Sequence, residues 1–174
     1  MTSSTDNVKI GVCALTFDGA DLGYTKGGVD VSITTETYTV TVDQFGTTAI
    51  NDYVIGINCT VTTPLAETSL ENLAAVMPAA ALVIDGATSS KKKVQVTTGV
   101  GTNLIDSAGE LILHPVALAA DNVTEDFILP NAASTGQISF AYSLDAERVF
   151  NTVWKAYPDV NNILFVYGDK TAAA

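Results

Sequence analysis

Apolar and polar positions alternate along much of this chain, beginning with Val8, Ile10, Val12 and Ala14 set against Lys9, Gly11 and Cys13. A period of two predicts a first strand there, and Gly19 to Gly28 interrupts it as a loop. From Val29 the pattern strengthens, with Val29, Val31 and Ile33 apolar and Asp30, Ser32 and Thr34 between them. The phase then flips, because Tyr38, Val40 and Val42 are apolar opposite Thr37, Thr39, Thr41 and Asp43. A bulge or bend near Thr34 to Thr37 is needed to rotate such a strand. Gln44 to Asp52, with Gly46 and Asn51, reads as the tip of a long hairpin or extended arm. The return strand places Tyr53, Ile55, Ile57, Cys59 and Val61 on one face and Asn58, Thr60 and Thr62 on the other. Its threonines favour strand over helix, since β-branched side chains lose χ1 freedom in a helix.

Pro64 is expected to end that strand, and the clearest helical signal follows. Thr68 and Glu71 form a capping-box pattern, Leu70, Leu73, Ala74 and Met77 recur at helical spacing, and Pro78 stops the run. Asp85 to Lys93 reads as a polar loop carrying Lys91, Lys92 and Lys93. Further short strands are predicted at Val94 to Thr98, Glu110 to Val116, Phe127 to Leu129, Gln137 to Ser143, Val149 to Tyr157 and Ile163 to Tyr167. Gly99, Gly101, Asn131 and Gly136 separate several of them. The pattern is that of one mainly β domain over residues 1–174, a sandwich or barrel-like unit with one short flanking helix and a long extended hairpin. Residues 1–7 and 171–174 are expected to be extended tails.

Composition supports a folded domain, with 47% hydrophobic and 16% charged residues in 174. The 8 Lys and Arg against 19 Asp and Glu, a formal charge of -11, exclude a partner gripped through its phosphates. The same charge keeps a subunit in solution before assembly. The polar start has neither the basic nor the apolar stretch of a secretory signal, and no apolar run is long enough for membrane insertion. Cys13 and Cys59 sit in strand patterns without metal or redox spacing, and read as free thiols made in a reducing cytoplasm.

Catalytic patterns are missing. His114, the single histidine, stands between Leu113 and Pro115 with no partner motif, and reads as structural. There is no GxSxG elbow, no Walker or dinucleotide glycine pattern and no EF-hand spacing. Acidic neighbours such as Glu125 and Asp126 are unspecific in so acidic a chain. No enzyme activity, cofactor or metal is expected.

Two stretches carry a resemblance. Gly27 to Ala74 includes the Gly27-Gly28 entry to a Thr-rich strand, Asp43-Gln44 at its exit, and Leu65-Ala66-Glu67 followed by Leu70-Glu71-Asn72-Leu73. The second runs from Gln137 into Gly168-Asp169 near the end. Together they cover a little under half the chain, and they resemble the tail tube proteins of long-tailed bacteriophages. That resemblance implies a structural virion protein whose copies close as hexameric rings around a continuous inner β-barrel. The rings stack into a hollow tail tube that conducts DNA and ejection proteins, meets other tail proteins at its ends, and is assembled in the host cytoplasm. It points to the non-contractile kind, a sheath-wrapped tube having a related fold.

Within it, Thr37, Thr39, Thr41, Asp43, Asn58, Thr60 and Thr62 are the candidate lumen-lining residues, presenting a polar, net negative wall past which DNA moves without specific binding. Gln44, Phe45, Asn51, Asp52 and Lys91, Lys92 and Lys93 are the candidate contacts between subunits or rings. The alternative is a decoration or fibre-type β-sandwich binding module, which would display an exposed aromatic or polar patch.

Overall fold

Trp154, the largest fully buried side chain, marks the centre of the fold. A computed structural model describes residue 5 and residues 8–172. Of the two expected tails, 1–4, 6–7 and 173–174 lie outside the described residues. The strands are β1 (Cys13–Phe17), β2 (Ala20–Asp21), β3 (Asp30–Val40), β4 (Asn51–Leu65), β5 (Ala80–Ile84), β6 (Lys92–Val96), β7 (Gly109–Pro115), β8 (Phe127–Ser139), β9 (Phe150–Ala156) and β10 (Val166–Tyr167). Among the described residues a single α-helix, α1 (Leu70–Val76), joins β4 to β5. The predicted class, mainly β with one short flanking helix and a long hairpin, is the one observed.

One antiparallel sheet runs in the order β2-β1-β7-β8-β9-β4-β3, with β10 on β8, while β5 and β6 pair apart from it. Alternate residues of neighbouring strands meet on one side: Leu15, Leu111, Leu113, Leu129, Trp154, Cys59, Val61 and Leu65 form a continuous buried cluster. The sheet curls around them. Phe17 on β1 and Trp154 on β9, separated by two intervening strands, bring their rings to 4.6 Å. The chain after β2 helps close the curl, since Ala66 donates its N–H to Tyr24 O at 2.7 Å and Lys26 donates to Pro64 O at 3.0 Å. Asn72 of α1 clamps this seam, its amide donating to Leu22 O at 2.9 Å and Glu67 O at 2.8 Å. The result is barrel-like.

The polar groups around Trp154 are paired. The Trp154 indole N–H donates to Thr63 Oγ1 at 2.9 Å, and Thr152 Oγ1 contacts Thr63 Oγ1 and Thr63 O. Burial without such partners would cost each donor its full desolvation penalty.

Several expected boundaries move. Val8 to Val12 alternates but lies outside β1, which starts at Cys13. The expected loop of 19–28 contains the short β2. Pro64 does not end β4: β3 pairs with β4 only as far as Thr62, so the missing N–H of Pro64 breaks no ladder with β3. The helix cap is Ser69, whose Oγ accepts from Asn72 N at 3.0 Å, rather than Thr68. Thr68 instead accepts from Arg148 Nε at 2.9 Å.

The strands expected at Phe127 to Leu129 and Gln137 to Ser143 are one strand, β8, ending at Ser139. Its register slips against β7 beside Pro130, and against β9 beside Gly136, whose φ of 75° only glycine adopts freely. Residues that look like strand breakers are here absorbed as bulges. The strand β5 has no counterpart in the predicted set. The later one shifts to Lys92–Val96.

Candidate assembly surface

The β3–β4 hairpin is long because both strands are rich in β-branched residues, and its two halves lie in different surroundings. Near the barrel, Cys59 and Val61 are fully buried. Beyond it, Tyr38 (61% exposed), Tyr53 (59%) and Ile55 (66%) stand in the open. Phe45 and Ile50 at the tip are exposed as well. So many apolar groups on one projecting arm are characteristic of a surface that a partner covers.

A bulge divides the arm. Glu36 pairs with Gly56 but Thr37 pairs with Val54, which leaves Ile55 as the extra residue on β4. The sequence pattern places the irregularity near Thr34 to Thr37, and the break falls at Glu36/Thr37; the inserted residue, however, belongs to the opposite strand. Because β3 itself keeps its alternation, its Asp30, Ser32, Thr34 and Glu36 share a face with Thr62, Thr60 and Asn58. Asn58 Nδ2 donates to Glu36 Oε1 at 2.8 Å across that face.

The candidate lumen residues therefore do not form one wall. Thr37 and Thr39 lie on the opposite face, in register with Val54 and Asp52, and the Thr39 hydroxyl donates to Asp52 Oδ1. Thr41 and Asp43 lie past the end of β3, Asp43 opening a 3-10 turn with Gln44 and Phe45. Tyr53, paired with Tyr38, likewise leaves the face of Ile57, Cys59 and Val61, and Ile55 pairs with no residue of β3, contrary to the uninterrupted alternation expected for β4. The polar wall actually assembled consists of Asp30, Ser32, Thr34, Glu36, Asn58, Thr60 and Thr62. Asp30, Ser32, Thr34 and Glu36 were missed, although their even spacing with the expected bulge would have placed them.

The candidate contact residues divide too. Gln44, Phe45, Asn51 and Asp52 cluster at the arm tip, where Gly46 (φ 61°) makes the turn. Lys92 and Lys93 belong to strand β6 rather than to a loop, and only Lys91 precedes it. Lys92 is engaged within the protomer: its Nζ is 2.9 Å from Glu71 Oε1, and that hydrogen bond holds the Glu71 carboxyl below its ordinary range. It is thus a brace between β6 and α1.

Besides the two-residue β2, which ends the strand order at one side, two edges of the sheet lack a neighbouring strand among the described residues. β3 pairs with β4 on one side and ends the strand order on the other. Pairing of β7 with β8 stops at Ala132, while β9 accompanies β8 to Ser139, so the outer edge of 133–139 has no strand beside it among the described residues. The four-stranded portion β8-β9-β4-β3 is consequently bounded by an unpaired edge at β3 and, at 133–139 of β8, by an edge that lacks a strand and lies against the 3-10 turn Leu104–Ser107.

Groups capable of chemistry are few. His114 Nδ1 lies 2.6 Å from Asp126 Oδ1, a partner the sequence did not reveal because β7 and the residue before β8 meet only through pairing. Its Nε2 is buried and faces no hydrogen-bonding group, so it is out of reach of a reactant. A cavity of about 460 Å³ beside residues 9–13 is mainly apolar, with the Lys9–Glu125 ion pair at its rim. Cys13 lines it, but burial raises the pKa of that thiol, as it does for Cys59, and so disfavours the reactive thiolate. Both cysteines are free. Among the described residues no group of three or more His, Cys, Asp or Glu could hold a metal ion, and no helix is long and apolar enough to cross a membrane. In comparisons with known proteins, no family model and no curated protein matches this chain.

Proposed function

We propose that this chain is the subunit of a phage tail tube, closing with copies of itself into hexameric rings that stack around a bore through which DNA passes. The observation that carries this reading is the β3–β4 arm, whose exposed Tyr38, Tyr53 and Ile55 project from a sheet segment that ends at an unpaired β3 and, at 133–139 of β8, at an edge with no strand beside it among the described residues. A sheet open at both sides can extend from copy to copy, and closing the circle removes every edge that would otherwise recruit strands without control. The resemblance of residues 27–74 and 137–170 to tail tube proteins supports the same assignment.

In this reading the wall of the bore is the polar face bearing Asp30, Ser32, Thr34, Glu36, Asn58, Thr60 and Thr62. Its carboxylates, within a chain of net charge -11, repel phosphates and let DNA slide without being held. The arm beyond the bulge carries Tyr38 and Tyr53, which continue the same face of β3 and β4, past the bore wall and into a neighbouring copy. Neither role requires a cofactor or a catalytic group.

Cryo-electron microscopy of the purified chain tests this. Hollow filaments of stacked six-fold rings, with Asp30 and Glu36 facing the bore, are the expected result. A strictly monomeric species at high concentration, or a filament with that polar face turned outward, would defeat the proposal and favour a monovalent binding module.

A further inference from the structure

Between residues 27 and 90 there is no Lys or Arg, so the whole arm carries only acids: Asp30, Glu36, Asp43 and Asp52. Two of these, Asp43 and Asp52, are exposed around the tip beside Phe45 and Ile50. The cations of the protomer are mostly engaged. Lys9, Lys26, Lys92 and Lys170 pair with Glu125, Glu147, Glu71 and Glu110. Arg148 lies over Tyr142 and hydrogen-bonds Thr68, and Lys155 lies over Tyr157. Lys91 and Lys93 alone have neither a carboxylate nor a ring among the described residues.

The β5–β6 hairpin shows why. Ile84 pairs with Lys92, and Lys92 reaches Glu71 of α1, so that face is turned to the helix. Val83 pairs with Lys93 on the other face, and both are exposed. The outward face thus presents Val83 beside Lys93 and Lys91, while Asp85, across from Lys91, turns its carboxylate into its own loop to accept from Ala87 N and Thr88 N. The arm tip presents the reverse set, Phe45 and Ile50 flanked by Asp43 and Asp52.

We infer that the arm tip of one copy docks on the outward face of the β5–β6 hairpin of a second copy, Asp43 and Asp52 meeting Lys91 and Lys93 while Phe45 and Ile50 cover Val83. This rests on the self-assembly proposed above and names its contact. Complementary rims of this kind fix register and choose the partner, while the apolar centre loses water. Because both surfaces belong to every copy, the contact is heterologous and propagates from one ring to the next.

Charge reversal tests it. Asp43→Lys/Asp52→Lys and Lys91→Glu/Lys93→Glu should each raise the critical concentration for assembly by about tenfold or more, read by pelleting and negative-stain microscopy. The fourfold variant combining them should return to within about threefold of the unmodified chain. As a check that does not depend on that variant folding, Asp43→Cys/Lys93→Cys should give a ladder of disulfide-linked multimers on non-reducing gels that neither single variant gives.

Assembly unaffected by either reversal, or a missing ladder from assembled material, overturns the pairing and leaves the tube reading standing. An unmodified chain that forms no rings or filaments defeats the tube reading, and this contact with it.

Discussion

The strand β4 is two different objects joined end to end. From Cys59 to Leu65 its inward side chains are buried against Trp154, Leu15 and Leu111, and Thr63 is hydrogen-bonded within the core. From Asn51 to Ile55, in the same strand and with an equally β-prone composition, every residue is exposed. The difference lies in neighbours. The inner half has β9 on one side, β3 on the other and the curled sheet in front of it, whereas the outer half has β3 alone. A two-stranded ribbon is marginal by itself in water, so its order depends on what it touches. Stability therefore resides in the inner half, and the capacity to associate in the outer one.

That division can be broken first at its buried end. Trp154→Ala should cost about 3–5 kcal/mol, the range for removing a large aromatic from a packed core, measured by urea unfolding of the unassembled subunit. A loss below 1 kcal/mol would mean that the barrel is not organised around this ring. A smaller effect is expected one hydrogen bond away. Thr63→Val keeps the shape but strands the Trp154 indole N–H, for about 1–3 kcal/mol, readable in the same titration. No loss would show that the indole finds another acceptor.

At the exposed end, Tyr38→Ser/Tyr53→Ser removes one cross-strand pair and should change subunit stability by under about 1 kcal/mol while abolishing filaments in sedimentation. If this variant unfolds, or polymerises as the unmodified chain does, the separation of folding from association is wrong.

What could be read from the letters follows from how local each signal is. Alternation marked β3, β4, β7 and β9 because a half-buried strand writes its two faces into adjacent residues. The helix was legible from leucine spacing and Pro78, yet its cap was misplaced by one residue. Thr68 and Ser69 can both cap, and the competition was decided by Arg148, eighty positions away in sequence, which takes Thr68.

Bulges were the main blind spot. Pro130 and Gly136 look like strand ends when read singly, and become tolerable slips because pairing resumes beyond each, with β7 across Pro130 and with β9 across Gly136. The same effect undid the expected wall. Thr37 and Thr39 were grouped with Asn58 and Thr60 by expecting the bulge to rotate β3; the extra residue lies in β4, so β3 keeps its alternation and both threonines stay on the opposite face.

By itself, then, the amino-acid order determined a mainly β domain with one short helix, an acidic surface, and an aromatic and threonine-rich hairpin, all consequences of side-chain period and charge. Only the tertiary structure decided that the sheet curls until Phe17 meets Trp154, that Ile55 is the inserted residue of the arm, and that Lys92 braces α1 while, among the described residues, Lys91 and Lys93 have no ion pair and β3 and the end of β8 have no further strand beside them. Those outcomes depend on which distant strand lies alongside, and hydrogen-bond registry between distant strands is not written in any short stretch of chain.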